Sequence, residues 1–409
     1  MNEESVASIR NFSLKDGRLI ILLGALVYLA GMFFLTVSIR VDRVTVMNGL
    51  GVPAMEPLFG DTLCVARWCD GYGRGEDPRA ADFKDPSGKI ISMNYPGIFL
   101  GLHHIGLTAS CINGWGAVLG AVFVMAVLAL AGRCTLIEGV LWLLALASPS
   151  VVMVIERGNF DILIFVLIVA AFLLRGRQVL SGLLVLFATA LKLYPVAALA
   201  FLIMRKKSSW SLFLPFCAAA GVIIYFLLGS IGHPGGDLGL VSCCFGSKVM
   251  ALILAQKTGI NPTWGPLGSQ LFALTTLITL TLLGRHERAK FEQTALGDRA
   301  LTAFWIGVPV YLLIFLSGDQ ADYKMIMALF AIPAALAWIR LGLKNRWIPK
   351  TWLILFLIYD YWLFFSDEGS LRNLLLRQIV AWGFFVMTAV MGGFLLPESW
   401  KKRVVLKTK

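Results

Sequence analysis

The chain has 409 residues, 58% of them hydrophobic and only 15% charged, with a mean hydropathy of +0.78. Soluble domains are nearer 45–50% apolar and about 25% charged. This composition excludes a disordered chain, a secreted disulfide scaffold and an ordinary soluble enzyme, and it fits a polytopic membrane protein. The net charge of +12 calls for nucleic acid only if its placement does not explain it.

A membrane-spanning helix needs about 20 apolar residues. The pattern predicts apolar spans at 19–39, 112–132, 136–155, 160–174, 179–193, 195–204, 210–231, 264–284, 300–317, 324–340, 350–366 and 371–396. Those at 160–174, 179–193 and 195–204 rise only ~15–23 Å against a hydrocarbon core of ~30 Å, so short or broken helices are expected there. Such backbone is tolerated where protein or a water-filled cavity surrounds it. The first span is long enough to stay and lacks a small-residue cleavage site.

With the N-terminus inside and every span crossing, Arg175/Arg177, Arg205/Lys206/Lys207 and Lys401/Lys402/Arg403 all fall on the cytoplasmic side. That side then carries the basic excess, so the charge is a topology signal and no nucleic-acid partner is needed. Both termini are expected to be cytoplasmic. The expected architecture is all-α: one polytopic membrane domain over 1–409. It has a first extracytoplasmic loop at 40–111 with interfacial helices, and a second at 232–263. No Cys/His spacing of a zinc site and no DxD motif is present, so neither metal nor cofactor is expected. A disulfide from Cys64 or Cys69 to the second loop is one option; free, buried cysteines are the other.

Ionisable residues at membrane depth are candidates for function, and here they gather on the outer side. In Glu156-Arg157-Gly158-Asn159-Phe160-Asp161, Asn159 can cap the next helix, whose N-terminus suits an anion. Arg157 and Asp161, four residues apart, can pair. Lys192-Leu193-Tyr194-Pro195 lies between two basic anchors, with Pro195 breaking the chain at the outer apex. Lys192 there is either a snorkelling lysine or a cation for a phosphate. Asp61 is an acid in apolar surroundings without an obvious structural task. Glu76 and Asp77 sit in a Gly/Pro turn, where local backbone bonds are the usual role. Asp319, Asp322 and Lys324 begin a late helix, and His103-His104 follows Tyr95-Pro96.

The stretch Arg157-Gly158-Asn159-Phe160-Asp161, then about thirty residues, then Lys192-Leu193-Tyr194-Pro195, resembles glycosyltransferase family 87, a GT-C-type family of membrane enzymes. Gly75-Glu76-Asp77-Pro78, Asn94-Tyr95-Pro96 and Asp322-Tyr323-Lys324 are similar to further family motifs. They depart from them at Arg79, Gly97 and Asp322. The resemblance implies a GT-C bundle and an outer-face site. It further implies transfer of a sugar, mannose by family weight, from a polyprenyl-phosphate donor to a lipid or glycan hydroxyl. The expected location is a bacterial-type plasma membrane. Asp61 is expected as general base for an inverting displacement, with Arg157, Asn159, Lys192 and Tyr194 around the donor phosphate. Asp161, Tyr95, His103, His104, Asp322, Tyr323 and Lys324 are expected on the supporting or acceptor side. The alternatives are a secondary transporter, which also uses broken helices and buried charge, and a lipid-linked glycan ligase or polymerase.

Overall fold

The computed structural model describes residues 16–35, 39–80, 82–85, 88, 90–91, 93, 95–204, 209–230, 244–258, 265–287, 296–318, 320–365 and 370–397. Asn94, Asp319, Cys243, both termini and most of 232–263 lie outside them.

Over its described residues, each apolar stretch read from the sequence is mainly helical. Chain order runs α1 (Arg18–Phe33), α2 (Arg43–Gly49), α3 (Gly60–Gly73), a 3-10 helix (Gly97–Ile105), α4 (Ile112–Ala131), α5 (Leu136–Leu146) and α6 (Pro149–Glu156). Next come α7 (Asp161–Leu173), α8 (Gln178–Leu191), a 3-10 helix (Tyr194–Ala200) continuing into α9 (Phe201–Met204), and α10 (Trp210–Ser230). The two-residue strand β1 (Cys244–Phe245), α11 (Val249–Thr258), α12 (Gly265–Glu287), α13 (Gly297–Ser317) and the strand β2 (Gln320–Ala321) follow. A 3-10 helix (Asp322–Ala331), α14 (Ile332–Arg340), α15 (Trp347–Phe365) and α16 (Leu371–Leu395) complete the order. β1 and β2 pair antiparallel, Cys244 opposite Ala321.

Among the described residues, six helices are long and apolar enough to cross a membrane: Ala109–Ala131, Trp210–Leu228, Gly265–Glu287, Gly297–Ser317, Asp322–Arg340 and Leu371–Leu395. α5 and α6 together make a seventh if their 57° bend is one broken span. The expected continuous span at 136–155 is therefore bent. The cause is Ser148-Pro149: Ser148 is extended before the proline, and Pro149 opens the next helix at its first turn. Four of the remaining expected crossings are shorter apolar helices: Arg18–Met32, Asp161–Leu173, Gln178–Leu191 and Tyr194–Met204.

Close helix approaches use glycine. A Cβ on Gly24 of α1 would come within 2.3 Å of Leu143 on α5, and one on Gly307 of α13 within 2.1 Å of Phe330. α13 and Asp322–Arg340 lie at the centre of one contiguous apolar core that runs from Ile21 to Leu396. At one end of the bundle the chain gathers arginines: Arg18 pairs with Asp16, Arg175 with Asp298, and Arg340 with Glu138. Arg299 donates to the Ala129 carbonyl at the end of α4. The candidate residues collect at other helix ends. Cys69 is a free thiol, and the disulfide option to the second loop falls partly on Cys243, which lies outside the described residues. The Cys69 thiol instead faces the Phe99 carbonyl at 3.6 Å.

Candidate active site

The start of α3 docks on the turn between α6 and α7. The Phe59 N–H donates to the Glu156 carbonyl at 2.9 Å and the Asp61 N–H to the Arg157 carbonyl at 3.0 Å. The Thr62 hydroxyl donates to the Gly158 carbonyl at 2.6 Å. Gly158 has φ +59°, and a Cβ there would lie 2.4 Å from Thr62 Oγ1, so the position demands glycine twice over. Phe59 turns left-handed, with φ 60°, and its ring fills the space above Gly116. Glu156 fixes the preceding segment by accepting from the Arg43 guanidinium and from the Met55 N–H at 3.1 Å.

This docking places Asp61 against Asn159. The Asn159 amide donates to Asp61 Oδ2 at 2.6 Å, while Asn159 Oδ1 accepts the Asp161 N–H at 2.8 Å. Asn159 stands one residue before the N-cap, Phe160, and closes an Asx-type turn onto the first N–H of α7 in place of the expected cap; this orients its NH₂ toward the carboxylate. One of the two Asn159 amide N–H groups is thus given to Asp61.

Asp161 is fully buried. Its Oδ1 accepts from the Lys192 ammonium and from the Tyr194 hydroxyl at 2.6 Å. The expected Arg157–Asp161 pair does not form. Arg157 turns away, with its guanidinium 5.9 Å from the Tyr323 ring centre and one nitrogen 3.5 Å from the Pro53 carbonyl. Lys192, in extended backbone between α8 and Tyr194, also meets the Tyr95 hydroxyl at 3.3 Å and lies 4.7 Å from that ring's centre. Lys324 sits 5.7 Å from the centre of the Tyr194 ring.

Asp61, Tyr95, Arg157, Lys192, Tyr194, Tyr323 and Lys324 are partly exposed, and Asn159 and Asp161 behind them are buried. Among the described residues, two buried polar atoms in this group have no partner: Arg157 Nε and Asp161 Oδ2. Burial pushes the Asp61 carboxyl above its usual range. The Asn159 hydrogen bond and the charges of Arg157 and Lys192 oppose that shift without cancelling it. Burial, aided by the Asp61 and Asp161 charges, pushes the Tyr95 hydroxyl well up and keeps it neutral.

Neighbouring acids are already engaged. Asp42 caps α2, Glu76 pairs with Arg74, Asp77 with Arg79 and Asp85 with Arg67. Asp70 accepts the Ala109 N–H at 3.1 Å.

Three expected residues are not in this group. His103 and His104 pack on each other, and His103 packs on Tyr72 at the far end of α3, about 16 Å along the helix from Asp61. Asp322 points the other way: it binds the buried Arg377 guanidinium and accepts from the Tyr359 hydroxyl at 2.6 Å. Arg377 and Tyr359 were not singled out by sequence. Arg377 had a signal, an arginine within the apolar stretch 371–396.

The group offers a carboxylate base and cationic donors on neighbouring elements, which suits deprotonation of a hydroxyl beside a stabilised anionic leaving group. The model of glycosyltransferase family 87 matches residues 99–233. The matched segment includes Arg157, Asn159, Asp161, Lys192 and Tyr194, and it supports the resemblance read from those motifs. No curated protein and no solved structure matches the chain. The family indicates a membrane glycosyltransferase, acting on a sugar donor and an acceptor.

Proposed function

We propose that this membrane glycosyltransferase, matched to family 87 over its central segment, moves a sugar, mannose first among the options, from a polyprenyl-phosphate donor to a hydroxyl of a lipid or glycan. Transfer takes place on the extracytoplasmic face of a bacterial-type plasma membrane. Asp61 accepts the proton of the acceptor hydroxyl. The hydroxyl oxygen forms a bond to the anomeric carbon as that carbon's bond to the phosphate oxygen breaks. The electron pair leaves with the phosphate, and the anomeric centre inverts. Arg157 and Lys192 take up the charge on the departing phosphate. Tyr194 and Asp161 hold Lys192 in place. Asn159 orients the base, and Tyr95, Tyr323 and Lys324 complete the wall.

One observation carries the reading. Asp61, held by Asn159 alone among these side chains, feels the charge of the Arg157 guanidinium, whose buried Nε has no partner among the described residues. Unpaired buried donors are costly, and an anionic ligand would satisfy this one.

The test uses purified protein in lipid with radiolabelled polyprenyl-phosphate mannose. Release of free polyprenyl phosphate together with a labelled glycolipid or glycan is expected. Sugar uptake into sealed vesicles without transfer would replace this reading with a transporter.

A further inference from the structure

Asp322 and Arg377 form an ion pair in which both residues are at most 1% exposed, among apolar helices. Removing two charges from water is costly, so a buried pair is weak evidence for stability and calls for another role. Its position supplies one. Asp322 immediately precedes Tyr323 and Lys324, which reach the opposite way, to Arg157 and Tyr194. The next residue of α16, Gln378, donates to the Cys244 carbonyl at 3.0 Å. Cys244 pairs with Ala321, the residue before Asp322. Consecutive side chains of one helix therefore hold both sides of the 320–322 corner, and the Tyr359 hydroxyl adds a third tie at 2.6 Å.

We propose that Arg377 and Gln378 are positioning residues: from the last helix they clamp the corner that sets Tyr323 and Lys324 against the transfer site. The functional half of this inference rests on the transferase reading; the structural half does not. Neither residue touches the reacting atoms. Each acts through the backbone of 320–324, where a small displacement would move both wall residues at once.

The test has two readouts in purified protein. Arg377→Gln alone would strand the Asp322 charge, so the neutral pair Asp322→Asn with Arg377→Gln is used, with Gln378→Leu as a second, uncharged variant. The first readout is the alkylation rate of Lys324→Cys by a maleimide, followed by mass spectrometry of that peptide. It should change several-fold in both backgrounds relative to Lys324→Cys alone. The second is kinetic. Both variants should raise donor KM on the order of 10-fold with a smaller change in kcat, and their effect should vanish in a Lys324→Met, Tyr323→Phe background. A simple loss of stability would instead add to those substitutions. Unchanged alkylation, or additive kinetic effects, in protein that remains folded overturns the proposal. If the double variant does not fold, Gln378→Leu decides by the same criteria. If the native chain transfers no sugar, the transferase reading fails, and the alkylation rates still decide whether the clamp holds the corner.

Discussion

Replacing Asp61 with asparagine isolates proton transfer from everything else in the site. The Asn159 amide donates to Asp61 Oδ2 at 2.6 Å, and the carbonyl oxygen of an asparagine can accept the same bond. The Asp61 N–H bond to the Arg157 carbonyl is untouched. The docking of α3 should therefore survive, and what is lost is a negative charge and a proton acceptor. A general base typically contributes ~10²–10⁴-fold, or about 3–5 kcal/mol of barrier. That loss should fall on turnover. Donor binding should not weaken, because Arg157 and Lys192 then face the donor phosphate with one fewer competing carboxylate. The pH profile supplies an independent sign. A base works when deprotonated, so activity is present above its pKa and falls as the pH drops through it. Burial raises the Asp61 pKa above the ordinary aspartate range, so the acid limb should lie above that of an exposed aspartate, and it should disappear in Asp61→Asn. The assay is single-turnover transfer beside donor binding, with Asp161→Asn as comparison. Wild-type turnover in Asp61→Asn would refute the assignment of the base.

Lys192→Ala should do more damage than Arg157→Ala. It leaves the buried Asp161 carboxylate without its cation, at about 3–5 kcal/mol of stability, and thermal unfolding in detergent measures this. Adding Asp161→Ala should recover the unfolding temperature without recovering transfer. Arg157→Ala should leave folding near normal and lower transfer roughly 10–150-fold through loss of one charge-assisted phosphate contact; wild-type rates would make Arg157 a structural charge. Gly158→Ala should destabilise by about 1–3 kcal/mol, because a left-handed backbone and a Cβ 2.4 Å from Thr62 Oγ1 cannot both be relieved without moving α3. An unfolding temperature equal to the parent's would contradict it. For sidedness, cysteines placed at 2–10 and 401–409 should resist an impermeant reagent in intact cells, whereas the exposed Cys111 should react; labelling of either terminus would reverse the topology.

Composition and apolar run length were enough for the membrane class and for the apolar helices, though not for α2 and α11 in the stretches read as loops, because spanning a bilayer makes a local demand: about 20 apolar residues with satisfied backbone. The short helices around Lys192 and the apex at Pro195 were legible for the same reason. So were the motifs at Arg157–Asp161 and Lys192–Pro195, which the family model also covers. Partner choice was not legible. Spacing of four allowed an Arg157–Asp161 pair, yet Asp161 is held by Lys192, which lies 31 residues along the chain. Asn159 read as the cap of a helix start suited to an anion, and nothing local foretold that its amide donates to Asp61 across 98 residues. Asp322 read as a site residue beside Tyr323 and Lys324, and it turns inward to Arg377 instead. The histidines read as site residues by proximity to Tyr95, and the length of α3 carries them away. A charge buried among apolar helices takes whichever opposite charge the packing brings within reach, since leaving it unpaired costs far more than any local preference supplies. The identity of that partner is decided by how distant helices cross, which only the tertiary structure specifies.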